Sequence, residues 1–282
     1  MAIQEPRTWL ITGADKGLGL ETARAALAHG DRVIVTVLAA DGSHPLASDH
    51  PDRFRAFHLD ARDFGRVGTV VAQAERLFGG VDILVNNAGY GLIGVAEETP
   101  IEKYRALFDV NFFGLAEMTR AVLPGMRLRR TGHIINLSSM AGFVGTPGFS
   151  FYCASKHAVE GFSEALSKEI KPFGIHVTIV EPGPFRSDFA GPSLAADACK
   201  IEDYMPTTGK YIRDYVANKH GKQPNDPAKF GPALCKIVDA TNPPLRLALG
   251  RDAVEWIHQK TEQVQAELER WKEISLSTGI ND

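Results

Sequence analysis

Short apolar runs rich in β-branched residues alternate with helical patterns over the first two-thirds of the chain. Thr8-Trp9-Leu10-Ile11, Val33 to Val37, Phe54 to Leu59, Val81 to Val85, His133 to Leu137, His176 to Val180 and Leu245 to Leu249 predict seven strands. Most are near-continuously apolar, as strands covered on both faces are. Helical spacing fills the gaps at Gly19 to Ala28, Val67 to Phe78, Ile101 to Leu123, Tyr152 to Lys171 and Asp252 to Trp271. Pro124-Gly125 predicts a bend or an end to its helix. Such alternation means crossover connections and a parallel sheet, an α/β fold. The stretch from Pro184 to Pro227 breaks the rhythm, with a helical piece at Tyr211 to Asn218. It follows a strand's carboxyl end, where such folds bind ligands, and predicts a lid or a surface excursion.

The chain's 282 residues suit one domain with a sizeable core. A net charge of −3 implies no general attraction to nucleic acid or anionic membrane. Met1 to Trp9 lacks the apolar core of a signal peptide, and no apolar run is long enough to span a bilayer. Cys153, Cys199 and Cys235 stand too far apart for a disulfide framework or a zinc site. A soluble, cytoplasmic, metal-free protein in a reducing compartment is expected.

The first strand runs into Thr12-Gly13-Ala14-Asp15-Lys16-Gly17-Leu18-Gly19. Gly13 allows a tight turn. Gly17 and Gly19 let the backbone approach a pyrophosphate at the positive end of a new helix. A plain glycine-rich turn is the alternative. The fourth strand ends in Asn86-Asn87-Ala88-Gly89, which suits a ligand edge or a brace between strands. Tyr152 and Lys156, four apart in a helical pattern, share a face, and a nearby cation favours a phenolate for acid–base work. Tyr215 and Lys219 repeat the spacing. Only Tyr152 has a hydroxyl, Ser139, thirteen positions before it at a strand end; the place before Tyr215 holds Glu202. Tyr215 therefore reads as part of a solvated helix face.

Taken in order, Thr12-Gly13-x-x-x-Gly17-x-Gly19, Asn86-Asn87-Ala88-Gly89, Asn111, Ser139, Tyr152-x-x-x-Lys156 and Pro182-Gly183 resemble the pattern of the short-chain dehydrogenase/reductase family over roughly residues 7 to 190. The resemblance implies a Rossmann-like, doubly wound parallel sheet of about seven strands. It implies an NAD(P)-dependent oxidoreductase that moves a hydride between nicotinamide and a carbonyl or alcohol carbon. Tyr152 would be the general acid or base and Ser139 would hold the substrate oxygen. Lys156 would bind the nicotinamide ribose and lower the Tyr152 pKa, and Asn111 would hold a water in a relay through Lys156. Asp15, Lys16 and Leu18 belong to the glycine loop. Leu38, Asp60 and Ala61 would lie at the adenosine end, with Asp60 near the adenine. Asn87, Ala88 and Gly89 would lie near its ribose, and Pro182, Gly183, Phe185 and Ser187 near the nicotinamide.

Relatives that prefer NAD often end the second strand in an acid. Here it reads Thr36-Val37-Leu38, while Lys16 suits a 2′-phosphate, so NADP is preferred, with NAD as the alternative. Met140, Phe143, Phe149, Phe185, Phe189, Tyr204 and Met205 predict either a partly apolar substrate pocket or lid-to-core packing. A catalytically silent cofactor-binding regulator and an epimerase or dehydratase are the rival readings; the four site residues argue against the first. The helices at 101–123 and 152–171 carry more apolar residues than one stripe needs. They predict a homodimer, or a dimer of dimers, through these helices; the C-terminal helix bearing Trp256 and Trp271 is the alternative place for the contact.

Overall fold

A computed structural model describes residues 5–280; Met1 to Gln4, part of the stretch searched for a leader, lie outside them. The strands are β1 (Thr8–Thr12), β2 (Arg32–Val37), β3 (Phe54–His58), β4 (Ile83–Asn86), β5 (Gly91–Ile93), β6 (Gly132–Leu137), β7 (Ile175–Pro182), β8 (Leu194–Ala196) and β9 (Arg246–Leu249). The helices are α1 (Gly17–Ala28), α2 (Phe64–Phe78), α3 (Ile101–Phe108), α4 (Leu115–Arg129), α5 (Ser150–Ile170), α6 (Thr208–Asn218), α7 (Phe230–Val238), α8 (Arg251–Arg270) and α9 (Lys272–Leu276).

Seven strands form one parallel sheet in the order β3-β2-β1-β4-β6-β7-β9. This is the predicted Rossmann-like, doubly wound architecture. Alternate side chains of each strand go to opposite faces. Trp9, Ile11, Val33, Val35 and Ile135 pack under α1 and α7, with Ala23, Leu27, Phe230 and Leu234. Leu10, Ile34, Leu84 and Ile134 pack under α2, α4 and α5, with Val70, Met118, Val122 and Leu166. Because both faces are covered, the strands carry no polar alternation.

Three features depart from the expected elements. The helix expected over 101–123 is divided by a π-helical turn, Asp109–Gly114, that buries Asn111. Insertions of this kind often mark functional sites. Pro124 neither ends nor breaks its helix; α4 runs through it to Arg129. Pro124 and Arg120 are not buried, so water can satisfy the Arg120 carbonyl that the proline leaves without a donor. The segment 184–227 holds β8, which pairs with β5 in a small second sheet, and α6, which begins at Thr208.

His133 on β6 is buried, its Nε2 2.9 Å from Thr178 Oγ1, while that hydroxyl donates to the Pro244 carbonyl at 2.6 Å. Burial foremost, then His176 and Arg7, push its pKa down to about 3. The unfolded chain, with a His pKa near 6.5, binds a proton that the native chain refuses between those values. Stability contributed by the neutral ring is therefore lost as pH falls from about 6.5 toward 3. Relative to wild type, His133→Gln should flatten urea-unfolding stability across that window, by on the order of a few kcal/mol at its acid end.

Candidate active site

The strand order reverses between β1 and β4, and the loops leaving them diverge to open a crevice at the strands' carboxyl ends. There a cleft of about 740 Å³ is lined by the loops after β1, β3, β4, β6 and β7 and by α6.

Its first wall is the glycine loop. Gly13 adopts φ +61°, and a Cβ there would lie 2.9 Å from Ala88 Cα. Gly17, at φ +57°, starts α1, whose first turn has no side-chain cap. Uncapped N–H groups and the helix dipole make an anion site. Gly13, Asp15, Lys16, Gly17 and Leu18 all line the cleft. Gly19 lies behind the wall, where a Cβ would stand 2.5 Å from Asn87 Nδ2. That amide donates to the carbonyls of Thr12 and Gly13 at 2.8 and 2.7 Å, and Thr12 Oγ1 accepts from the N–H groups of Asn87 and Ala88. The asparagine is thus the brace that fixes the end of β4 to the loop.

Just past the end of β2, Leu38 is 65% exposed. Asp60, beside Ala61 in the wall, is gripped by the Arg62 guanidinium at 2.6 Å, which holds its carboxyl below the usual carboxylate range. Lys16 Nζ lies 3.7 Å from Asp188 Oδ2, both side chains about half exposed. At the far end, Pro182, Gly183, Phe185 and Ser187 line the cleft. Buried Gln223 donates from Nε2 to the Ser187 carbonyl at 3.2 Å, and its Oε1 has no partner among the described residues. An uncapped helix end at one side of the cleft and an orphaned acceptor near the other fit an elongated ligand with an anionic centre, as a nicotinamide dinucleotide is.

Ser139, Tyr152 and Lys156 meet in the same wall. Ser139 accepts from Ala141 N–H at 3.1 Å, which points its hydroxyl into the turn after β6. Tyr152 and Lys156 come from the buried face of α5. Burial pushes the Tyr152 phenol well above its ordinary pKa, and the hydrogen bond with Ser139 pulls the other way. The expected lowering by Lys156 does not dominate: its ammonium sits 5.9 Å from the ring centroid and donates to the Leu137 carbonyl at 2.8 Å. Burial brings Lys156 itself down to about 8, against a raising pull from Glu160. Asn111 is buried and lies outside the cleft wall. It is fixed by Tyr90, whose N–H donates to Oδ1 and whose carbonyl accepts from Nδ2, at 3.0 and 3.1 Å. A Cβ on Gly89 would lie 3.1 Å from Asn111 Oδ1 and 3.7 Å from Lys156 Nζ, so the two side chains flank one glycine.

The aromatic cover corrects two expectations. Tyr215 is not on a solvated face. It lines the cleft, its ring centroid 5.1 Å from that of Phe149, and burial pushes its phenol up to about 12. Helix α6 folds back over the cleft, which the spacing Tyr215-x-x-x-Lys219 could not reveal. Phe149 and Phe189 stand 5.9 and 5.3 Å from Tyr152, and Met140 and Phe185 also line the cleft. Phe143, Tyr204 and Met205 face elsewhere: Phe143 lies under Arg246, Tyr204 donates to Glu97, and Met205 packs with Arg213. Tyr90, Arg62, Tyr211 and Gln223 complete the wall and carry no sequence motif that marks them.

The sequence profile of short chain dehydrogenases matches residues 7–197. The chain is 36% identical to the oxidoreductase BOA17 of Botryotinia fuckeliana over 273 residues, 96% of this chain and 99% of that protein. It is 37% identical to the 3-ketodihydrosphingosine reductase of Bacteroides thetaiotaomicron, covering 87% of this chain and 88% of that one. Among solved structures, a short-chain dehydrogenase from Streptomyces avermitilis superposes with a TM-score of 0.91 at 41% identity, covering 98% of this chain and 99% of that one.

Proposed function

Since the chain belongs to the short-chain dehydrogenase/reductase family and is an NAD(P)-dependent oxidoreductase, we propose that Tyr152 carries the proton in its reaction on a carbonyl or alcohol carbon. The supporting observation is the meeting of phenol, Ser139 hydroxyl and Lys156 in one cleft with an uncapped helix end. A nicotinamide dinucleotide bound there supplies or accepts the hydride. Gly13, Asp15, Lys16, Gly17 and Leu18 hold its phosphates; Leu38, Asp60 and Ala61 border the adenine. Asn87, Ala88 and Gly89 border the ribose, and Pro182, Gly183, Phe185 and Ser187 border the nicotinamide. Ser139 holds the substrate oxygen against Tyr152 Oη. In reduction the phenol gives its proton to that oxygen; in oxidation it takes the proton back. Lys156 holds positive charge beside the phenol, and Asn111, anchored by Tyr90, positions the route by which the proton is replaced.

NADP is the preferred cofactor in this reading. No acid stands at the end of β2, and among the described residues Lys16 is bound only by a half-exposed contact with Asp188, which a 2′-phosphate can replace at small cost. Lys16→Ala should raise the KM for NADPH more than that for NADH, and steady-state kinetics with both cofactors check this; a wild-type preference for NADH refutes it. The substrate is partly apolar, as Met140, Phe149, Phe189 and Tyr215 require, and 184–227 acts as its lid. Consumption of NADPH over a panel of ketones, aldehydes and quinones tests the activity. Tight NADPH binding with no turnover would favour a silent regulator.

Exposed Phe113 on the π-helical turn and exposed Ala154, Gly161 and Ala165 on α5 suit close helix pairing, so a homodimer forms through this face. Part of the apolar excess is used inside the subunit, where Phe112 meets Phe162 edge-on at 5.9 Å. The setting is cytoplasmic, in keeping with three free cysteines and with the lack of a helix, among the described residues, able to cross a membrane.

A further inference from the structure

Helix α8 leaves the body just after the last strand of the sheet, and from Thr261 to Arg270 every residue is exposed. Ala253 at its base is its one buried residue. A helix of twenty residues is about 30 Å long and gains most of its stability from packing one face. Here that face is present and uncovered. Val254, Ile257, Thr261, Val264, Leu268 and Trp271 recur at intervals of three and four, the seam of a coiled coil. Val254 is 54% exposed, Val264 40%, Leu268 65% and Trp271 54%. The opposite side is acidic, with Glu255, Glu262 and Glu269 one heptad apart.

We infer that α8 docks antiparallel on α8 of a second copy of this chain. The seam is self-complementary in that direction. Centred between Glu262 and Gln263, it sets Val254 against the partner subunit's Trp271, Ile257 against the partner subunit's Leu268, and Thr261 against the partner subunit's Val264. The flanking charges agree. Lys260 faces the partner subunit's Glu267, and the two-fold axis repeats the pair. Neither residue is in a salt bridge within its own subunit among the described residues. A lipid surface fits less well, because six carboxylates stand against four cations from Arg251 to Leu276. This contact uses residues different from those of the dimer face proposed above, and both together give a dimer of dimers.

Sedimentation of the full-length chain at micromolar concentration tests the pairing. Leu268→Glu should halve the mass of the assembly while NADPH binding, read by fluorescence, is kept. Lys260→Glu and Glu267→Lys should each raise the dissociation constant at least tenfold, and the double swap should restore it. In a parallel pair the swap would instead bring the lysine introduced by Glu267→Lys against the partner subunit's Lys272, and would not rescue. Four results overturn the inference: a wild-type mass of 30.7 kDa, an assembly unchanged by Leu268→Glu, a swap that fails to rescue, or flotation of the chain with phosphatidylcholine vesicles that Leu268→Glu abolishes with no change in mass.

Discussion

Tyr152→Phe is expected to lower kcat about 10²- to 10⁴-fold, the usual worth of a positioned acid or base. NADPH binding should survive, because the change removes one oxygen from a ring that Phe149 and Phe189 continue to hold. The loss should appear in both directions with different pH dependence. Burial holds the phenol above its ordinary pKa, so reduction, which needs the proton on it, should be sustained to alkaline pH. Oxidation needs the proton gone and should rise with pH. Tyr215→Phe is the control. It keeps the aromatic wall and removes a phenol with no assigned proton to carry, so kcat should change a few-fold at most. Steady-state kinetics and NADPH fluorescence on the two variants decide the matter. A dead Tyr215→Phe enzyme beside an active Tyr152→Phe enzyme would move the acid to the lid.

The largest stability effect is expected behind the cleft-lining face of α5. Arg246 on β9 bonds Glu160, Glu181 at 2.9 Å and Glu164 at 3.1 Å. Glu160 and Glu181 are buried, their side chains 8% and 4% exposed. Arg246→Ala leaves both without their cation, at a cost of about 3–5 kcal/mol. Burial raises Glu160 to about 7, well above its unfolded value near 4.5, and raises Glu181 as well. The native chain therefore binds more protons between those values, and the stability it contributes falls as pH rises from about 4.5 through 7. Without Arg246 the folded carboxylates hold protons to higher pH still. The variant's deficit should be greatest above pH 7 and shrink toward pH 5. Urea midpoints across that range measure it, and adding Glu160→Gln should return part of the loss. A deficit under about 1 kcal/mol at pH 8 would show that water, rather than Arg246, satisfies the pair.

Much of the architecture was open to a reading of the sequence because one physical rule wrote it many times over. Seven apolar runs separated by helical periodicity demand a sheet covered on both faces, and each strand repeats the demand. The glycine loop was legible for a similar reason: turn geometry at Gly13 and Gly17 leaves few residue choices. Tyr152, Ser139 and Lys156 were legible because a strand end and a helix face stand at the spacing of the family motif, which Tyr215 and Lys219 match only in part.

What failed was decided by contacts between distant segments. Pro124 was expected to bend or end its helix, yet α4 runs on through it, because it lies where water can replace the missing donor, a fact of placement and not of residue type. Tyr215 and Tyr152 share a spacing with Lys219 and Lys156; only the return of α6 over the cleft turns the second pair inward, and burial then sets its chemistry. Lys156 was expected to lower the Tyr152 pKa; in the folded chain desolvation, which depends on everything packed around the phenol, raises it, and the opposing pull comes from the Ser139 hydroxyl. The sequence by itself thus determined the strands, the parallel sheet and the glycine turn, since each follows from local geometry, and the family resemblance picked out Ser139, Tyr152 and Lys156, which the fold brings to one cleft. The tertiary structure alone decided which aromatics wall the cleft, how Asn111 is held, and which charges are buried with Arg246, because burial and long-range contact are properties of the folded whole.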